Sequence, residues 1–170
     1  MADSIDPRGF RDVMGRFATG VTVVTIASEG RLRGMTANSF SSVSLDPALL
    51  LVCVDRNASI FPLFEATDAF AVNILTSEQI TVSAAFAAKG EKDEVMGGQP
   101  YSLGPLGSPL LDGVLAWAEC RIEHRYDGGD HTIVVGRVQQ MEVSQPEASP
   151  LLFFAGQYRA LGDPITPPQA

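Results

Sequence analysis

Val21-Thr22-Val23-Val24-Thr25-Ile26 is β-branched at every position, which crowds a helix and suits a pleated strand. Glu29-Gly30 offers a turn, and Leu32 to Phe40 reads as the returning arm of a hairpin. Within and beyond that arm, Arg33 to Ser44 concentrates hydroxyls at Thr36, Ser39, Ser41, Ser42 and Ser44 and an amide at Asn38. After Phe40 the segment reads as a Ser-rich loop that leaves the sheet and ends at Asp46-Pro47. Polar groups this dense beside apolar runs need either a turn or a bound polar ligand as partners.

Upstream, Asp6 and Pro7 suit a helix N-cap and first turn. Phe10, Val13, Met14 and Phe17 follow at helical spacing, with Gly20 placed to stop the helix. Downstream, Leu49 to Val54 is a continuous apolar run, read as a strand buried on both faces. Cap-forming residues from Asp55 to Ser59 lead to a short helix over about 59–65, and Ala69 to Leu75 forms a strand. Thr76 and Gln79 resemble a capping box opening a helix to about Ala88. Lys89 to Asp112 reads as a long surface loop. Val114 to Arg125 alternates, with Cys120 on one face and Glu119 on the other. Asp127-Gly128-Gly129-Asp130 turns the chain into the strand 132–138, and Leu151 to Phe154 forms a last strand.

Six or more strands, mostly joined by hairpins, with two or three helices, exclude a βαβ layout. They predict a mainly β fold with some α, an antiparallel Greek-key-type barrel carrying a few packed helices. A single domain is expected over residues 1–162, with 163–170 a disordered Pro-rich tail.

The chain carries 12 basic and 20 acidic residues for a net charge of −8, which disfavours nucleic acid and anionic membrane as partners. No stretch approaches the roughly 20 apolar residues of a membrane span. Cys53 and Cys120 sit in apolar runs and read as free thiols of a reducing compartment, so a soluble, cytoplasmic protein is expected. Walker and Rossmann glycine motifs, the serine-hydrolase elbow and zinc-ligand spacing are absent, and no metal is expected. Any chemistry then belongs to a bound cofactor.

Five segments in order carry a family resemblance. They are Phe10 to Thr25, Gly34-Met35-Thr36-Ala37-Asn38-Ser39-Phe40, Ser44-Leu45-Asp46-Pro47, Gly129-Asp130-His131-Thr132, and Phe153 to Arg159. Over about residues 8 to 161 the chain resembles the flavin reductase-like family, the short reductases that supply reduced flavin to two-component monooxygenases. The resemblance implies an FMN-binding split barrel working as a homodimer. It also implies hydride transfer from NADH, with NADPH less favoured, to FMN or FAD, and a separate oxygenase receiving the reduced flavin. An alternative is a flavin carrier on the same barrel without significant reductase activity; the Gly129-Asp130-His131 turn favours the enzyme.

Under that resemblance, Met35, Thr36, Ala37, Asn38 and Ser39 line the isoalloxazine ring, and Ser41 and Ser42 continue toward the ribityl chain. Cys53, Val54 and Asp55 meet the flavin from the opposite wall. Ser59 and Ile60, at a helix start, suit the phosphate, with Ala88 and Lys89 adding a wall and a counter-charge. His131 positions the nicotinamide without serving as an obligatory acid or base, and Gly156, Gln157 and Tyr158 shape that pocket.

Overall fold

The computed structural model describes residues 5–88 and 95–164. Helix α1 covers Pro7–Met14, and strands β1 (Thr19–Gly20), β2 (Thr22–Ser28), β3 (Arg31–Ala37), β4 (Phe40–Leu45) and β5 (Ala48–Asp55) follow. Next come α2 (Phe61–Ala66), β6 (Ala69–Ile74), α3 (Ile80–Ala87) and a 3₁₀ turn at Val95–Gly98. The remaining strands are β7 (Tyr101–Leu103), β8 (Pro109–Leu111), β9 (Ala116–Gly128), β10 (His131–Val143), β11 (Leu152–Phe154) and β12 (Gln157–Arg159).

Seven strands form one antiparallel sheet in the order β3-β2-β6-β9-β10-β5-β4. Its outermost strands, β3 and β4, are consecutive in sequence and joined only by Asn38 and Ser39. The sheet must therefore curl until its two edges meet at that corner. No ladder pairs β3 with β4, so the described fold is a mainly β, curled sheet rather than a closed hydrogen-bonded barrel. Irregular register between β9 and β10 and between β4 and β5 supplies bends along the long strands. One such irregularity lies at Gly136, where a Cβ would come within 2.6 Å of the Phe70 ring and 2.7 Å of Cys120 Cβ.

The β-branched run becomes the strand β2 for a visible reason. Its residues alternate between two apolar clusters, Val24 and Ile26 packing with Val52, Phe64 and Phe70 on one side. Val23 and its neighbour Val21 pack with Leu75, Leu111 and Leu151 on the other. A strand covered on both faces can be apolar without interruption.

Several boundaries differ from the sequence reading. Helix α1 ends at Gly15 rather than Gly20, because Gly15 donates to the Arg11 carbonyl as its C-cap. Gly20 instead pairs with Leu152 in a short ladder. The segment after Phe40 is not a loop: it is β4, with Ser41 opposite Leu51 and Ser42 opposite Leu50. Strand β5 is deeply buried only at alternate positions, Leu50, Val52 and Val54. Of the expected surface loop 89–112, residues 95–112 are ordered against the core, with Met96, Leu110 and Leu111 buried. Two buried polar side chains anchor that hairpin. Asn73 Oδ1 accepts from Leu111 N at 2.8 Å, and Glu119, fully buried rather than outward-facing, accepts from Leu106 N at 3.0 Å and Ser108 N at 2.9 Å.

Candidate functional site

Where the two sheet edges converge, a cavity of about 710 Å³ opens, within the range of small-molecule and cofactor sites. Strand β3 and the corner give it Met35, Thr36, Ala37, Asn38 and Ser39 along one wall. The exit of β5 adds Cys53 and Asp55, and the following loop adds Ser59 and Ile60. The end of α3 contributes Ala88, and the start of β10 contributes His131. Segments distant in sequence thus face one space.

The hydroxyls of the Ser-rich stretch have mostly found partners within the protein. Thr36 Oγ1 donates to the Ser83 carbonyl at 2.6 Å, pinning α3 onto β3. Ser39 Oγ donates to the Cys53 carbonyl at 3.1 Å, while Cys53 N donates to the Ser39 carbonyl at 3.2 Å. Those bonds close the corner between the sheet edges. Asn38 is exposed, and its amide makes only a long 3.3 Å contact to Thr19 Oγ1. Because β3 pairs only with β2 among the described residues, its other edge presents backbone groups without ladder partners there. Asn38 and that free edge are the donor set at this wall.

The opposite side is braced by a turn on a turn. Asp55 Oδ1 accepts from Asn57 N at 2.8 Å, shaping the loop toward Ser59. Arg56 N donates to the Asp130 carbonyl at 3.1 Å, and the Arg56 guanidinium pairs with Asp127. The ladder sets His131 directly opposite Asp55. His131 Nδ1 and Asp130 Oδ1 lie 2.7 Å apart, and that bond holds the Asp130 carboxyl below its usual range. Burial raises the Cys53 thiol pKa, so the thiol stays protonated on the cavity wall.

Not every expected site residue stands here. Ser41 and Ser42 lie on the exposed outer edge strand, away from the cavity lining. Val54 is fully buried on the core face of β5, because side chains alternate along a strand and its neighbours Cys53 and Asp55 take the cavity side. Ser59 is not the cap of α2, whose N-cap position is Ile60 with no side-chain cap. Tyr158 Oη is 2.9 Å from Ser83 Oγ, bridging β12 to α3, and Gln157 is exposed beside Arg159. Gly156 lines a second cavity, of about 480 Å³, that meets the first at Asn38. Lys89 lies outside the described residues.

Sequence reasoning passed over Arg33, the lysine or arginine that lines the larger cavity among the described residues, and Phe86, whose ring packs 2.7 Å from where a Gly34 Cβ would be. A basic residue two positions before the matched Met35 was the available signal for the first. Among the described residues, Cys53 and Cys120 are free thiols, and no helix is long and apolar enough to cross a membrane.

Comparison with known proteins shows the family. The model of the flavin reductase like domain matches residues 14–162. The chain is 38% identical over 167 residues to a flavin-dependent monooxygenase reductase subunit, HsaB, of Rhodococcus jostii, covering 98% of this chain and 84% of that one. It is 40% identical over 160 residues to the NADH-dependent FMN reductase AsuE2 of Streptomyces nodosus, covering 91% and 85%. In structure it is similar to the NADH:FAD oxidoreductase SgcE6 of Streptomyces globisporus solved with NAD and FAD fragments, with a TM-score of 0.85 and 39% identity over 95% of this chain and 96% of that one. The chain belongs to the flavin reductase-like family.

Proposed function

We propose that this chain is an NAD(P)H:flavin oxidoreductase that uses NADH to reduce FMN or FAD and passes the reduced flavin to a separate monooxygenase component. The observation that carries the reading is the single cavity joining the Asn38 corner, the β5 exit and His131. Its donor set fits a flavin. A flat ring with a polar edge can lie against β3, whose unpaired backbone groups and Asn38 amide meet that edge. The wall across from it carries the neutral Cys53 thiol and the apolar Ala58 and Ile60.

When bound, the flavin supplies the two-electron acceptor for a nicotinamide hydride. The chain's own contribution is binding and orientation. Asn38 and the β3 edge place donors where negative charge gathers on reduction. His131, held by Asp130 and set opposite Asp55, lines the same cavity, and in this reading it holds the nicotinamide carboxamide. No side chain needs to take or give a proton for the transfer itself.

The family reading also supports the finer features. Apolar side chains left open on one copy, Phe10, Val13, Met14 and Phe17 on and after α1 and Leu45 on β4, suit a homodimer. The sheet whose edges meet at Asn38 and Ser39 suits the split barrel. A cytoplasmic setting suits two free thiols. NADH oxidation by purified protein, measured with and without FMN and FAD, tests the reading. Flavin-dependent turnover is expected, and flavin binding without NADH oxidation would leave a carrier instead.

A further inference from the structure

The turn between β9 and β10 ends at His131, and a side chain outside the cavity lining ties that turn down. Gly129 has φ +79°, a conformation that glycine enters freely and that fixes nothing by itself. The restraint comes from Arg56, which makes three attachments. Its backbone N donates to the Asp130 carbonyl at 3.1 Å. Its Nε donates to Thr132 Oγ1 across a longer 3.4 Å, and its Nη2 pairs with Asp127. Asp130 and Thr132 are the two chain neighbours of His131, and Asp127 stands opposite Thr132 in the β9–β10 ladder. Asp55 and Asn57, on either side of Arg56, line the larger cavity with His131, whereas Arg56 itself does not.

We infer that Arg56 is a positioning residue for the nicotinamide: by clamping the residues before and after His131, it fixes where the imidazole stands in the cavity. The inference rests on the flavin reductase reading above and adds to it a residue that acts only through another. The β5–β10 ladder ends at the pair Asp55 and His131, and the bond from Arg56 N to Asp130 carries the link one residue further. Asp130 is also the residue whose Oδ1 lies 2.7 Å from His131 Nδ1. A turn released from Arg56 therefore moves both the backbone of His131 and the carboxylate that orients its ring. An imidazole held in advance loses little freedom when a ligand arrives, and a misplacement of about 1 Å is enough to cost a large factor in rate. The Arg56 and Asp127 side chains are 42% and 77% exposed, and an ion pair so open to water contributes little to global stability. What Arg56 sets is local geometry.

The test follows His131 with and without the Arg56 side chain in the full chain. Arg56→Ala should raise KM for NADH about fivefold, less than loss of the imidazole itself, while kcat changes by less than about twofold. FMN affinity and the urea midpoint should stay at their wild-type values. Arg56→Lys keeps the charge toward Asp127 without the fork that reaches Thr132, and it should recover part of the loss. In the His131→Ala background, Arg56→Ala should add nothing. A second readout needs no turnover: ¹⁵N spectra of the two histidine rings at pH 8.5, where free imidazole is neutral. Wild-type His131 should show a protonated Nδ1, and Arg56→Ala should average its two nitrogens while His124 stays unchanged. An unmoved His131 spectrum, or a KM effect of full size without His131, would overturn the inference and leave the reductase reading intact. So would a loss of FMN affinity as large as the loss for NADH, the mark of a damaged site. Wild-type protein that oxidises no NADH with flavin present would remove the reductase reading and the nicotinamide role of Arg56 with it.

Discussion

His131 donates its Nδ1–H to Oδ1 of Asp130 across 2.7 Å. The assignment follows from the acid: hydrogen bonding to His131 is the first cause holding the Asp130 carboxyl below its usual range, and a carboxylate can only accept. In the neutral imidazole this leaves Nε2 as an acceptor for a ligand in the cavity. His131→Ala should raise KM for NADH by about tenfold, the loss of one well-placed hydrogen bond, while FMN affinity measured by fluorescence changes far less. A larger loss of flavin than of NADH would move His131 out of the nicotinamide site.

Among the described residues, Asn38 alone lines both cavities. Its amide should favour the reduced flavin, where charge develops. Asn38→Ala should slow flavin reduction in stopped flow by about tenfold, and Asn38→Asp, which sets a like charge against the ring, should slow it further. Equal rates for all three proteins would place the polar edge of the flavin elsewhere.

Gly104 and Glu119 are coupled. A Cβ at Gly104 would lie 2.5 Å from Glu119 Oε2, and that carboxylate is held by the amides of Leu106 and Ser108. Glu119→Ala leaves both donors without acceptors and should cost about 3 kcal/mol in urea unfolding. Gly104→Ala should cost about 2 kcal/mol by displacing the carboxylate. In the Glu119→Ala background the second change should cost at least about 1 kcal/mol less. Strict additivity would mean that the two sites do not share this contact.

How much of this was legible depended on distance along the chain. The β2 strand declared itself because β-branching acts on its own residues, and the Gly128-Gly129 turn was visible for the same reason. Ser41 and Ser42 read as loop rather than strand because their pairing opposite Leu51 and Leu50 is a register with another strand, which local composition does not encode. Glu119 alternated like an outward residue. What buries it is the hairpin tip at 104–108, folded over from more than ten residues away. The cavity residues on β3, β5 and β10 became visible together only through the family resemblance, since no single segment encloses the cavity.

The two thiols offer a final check on the flavin position that needs no turnover. Cys53 lies half-buried on the cavity wall, whereas Cys120 is wholly buried in the core. Burial, with Glu119 second, pushes the Cys120 thiol up to about 12 from an ordinary 9.0. A raised folded pKa means that its share of stability is complete below about pH 9 and is lost as pH rises toward 12. At pH 8.5 Cys120 should therefore resist iodoacetamide in the folded protein and react in urea, because the thiolate is the attacking form. Cys53 should react slowly in the folded protein, its own thiol being raised by burial. Saturating FMN should slow it at least tenfold further, if the ring covers that wall. Mass spectrometry of alkylated peptides separates the two sites. Equal labelling of Cys53 with and without FMN would place the flavin away from the β5 exit.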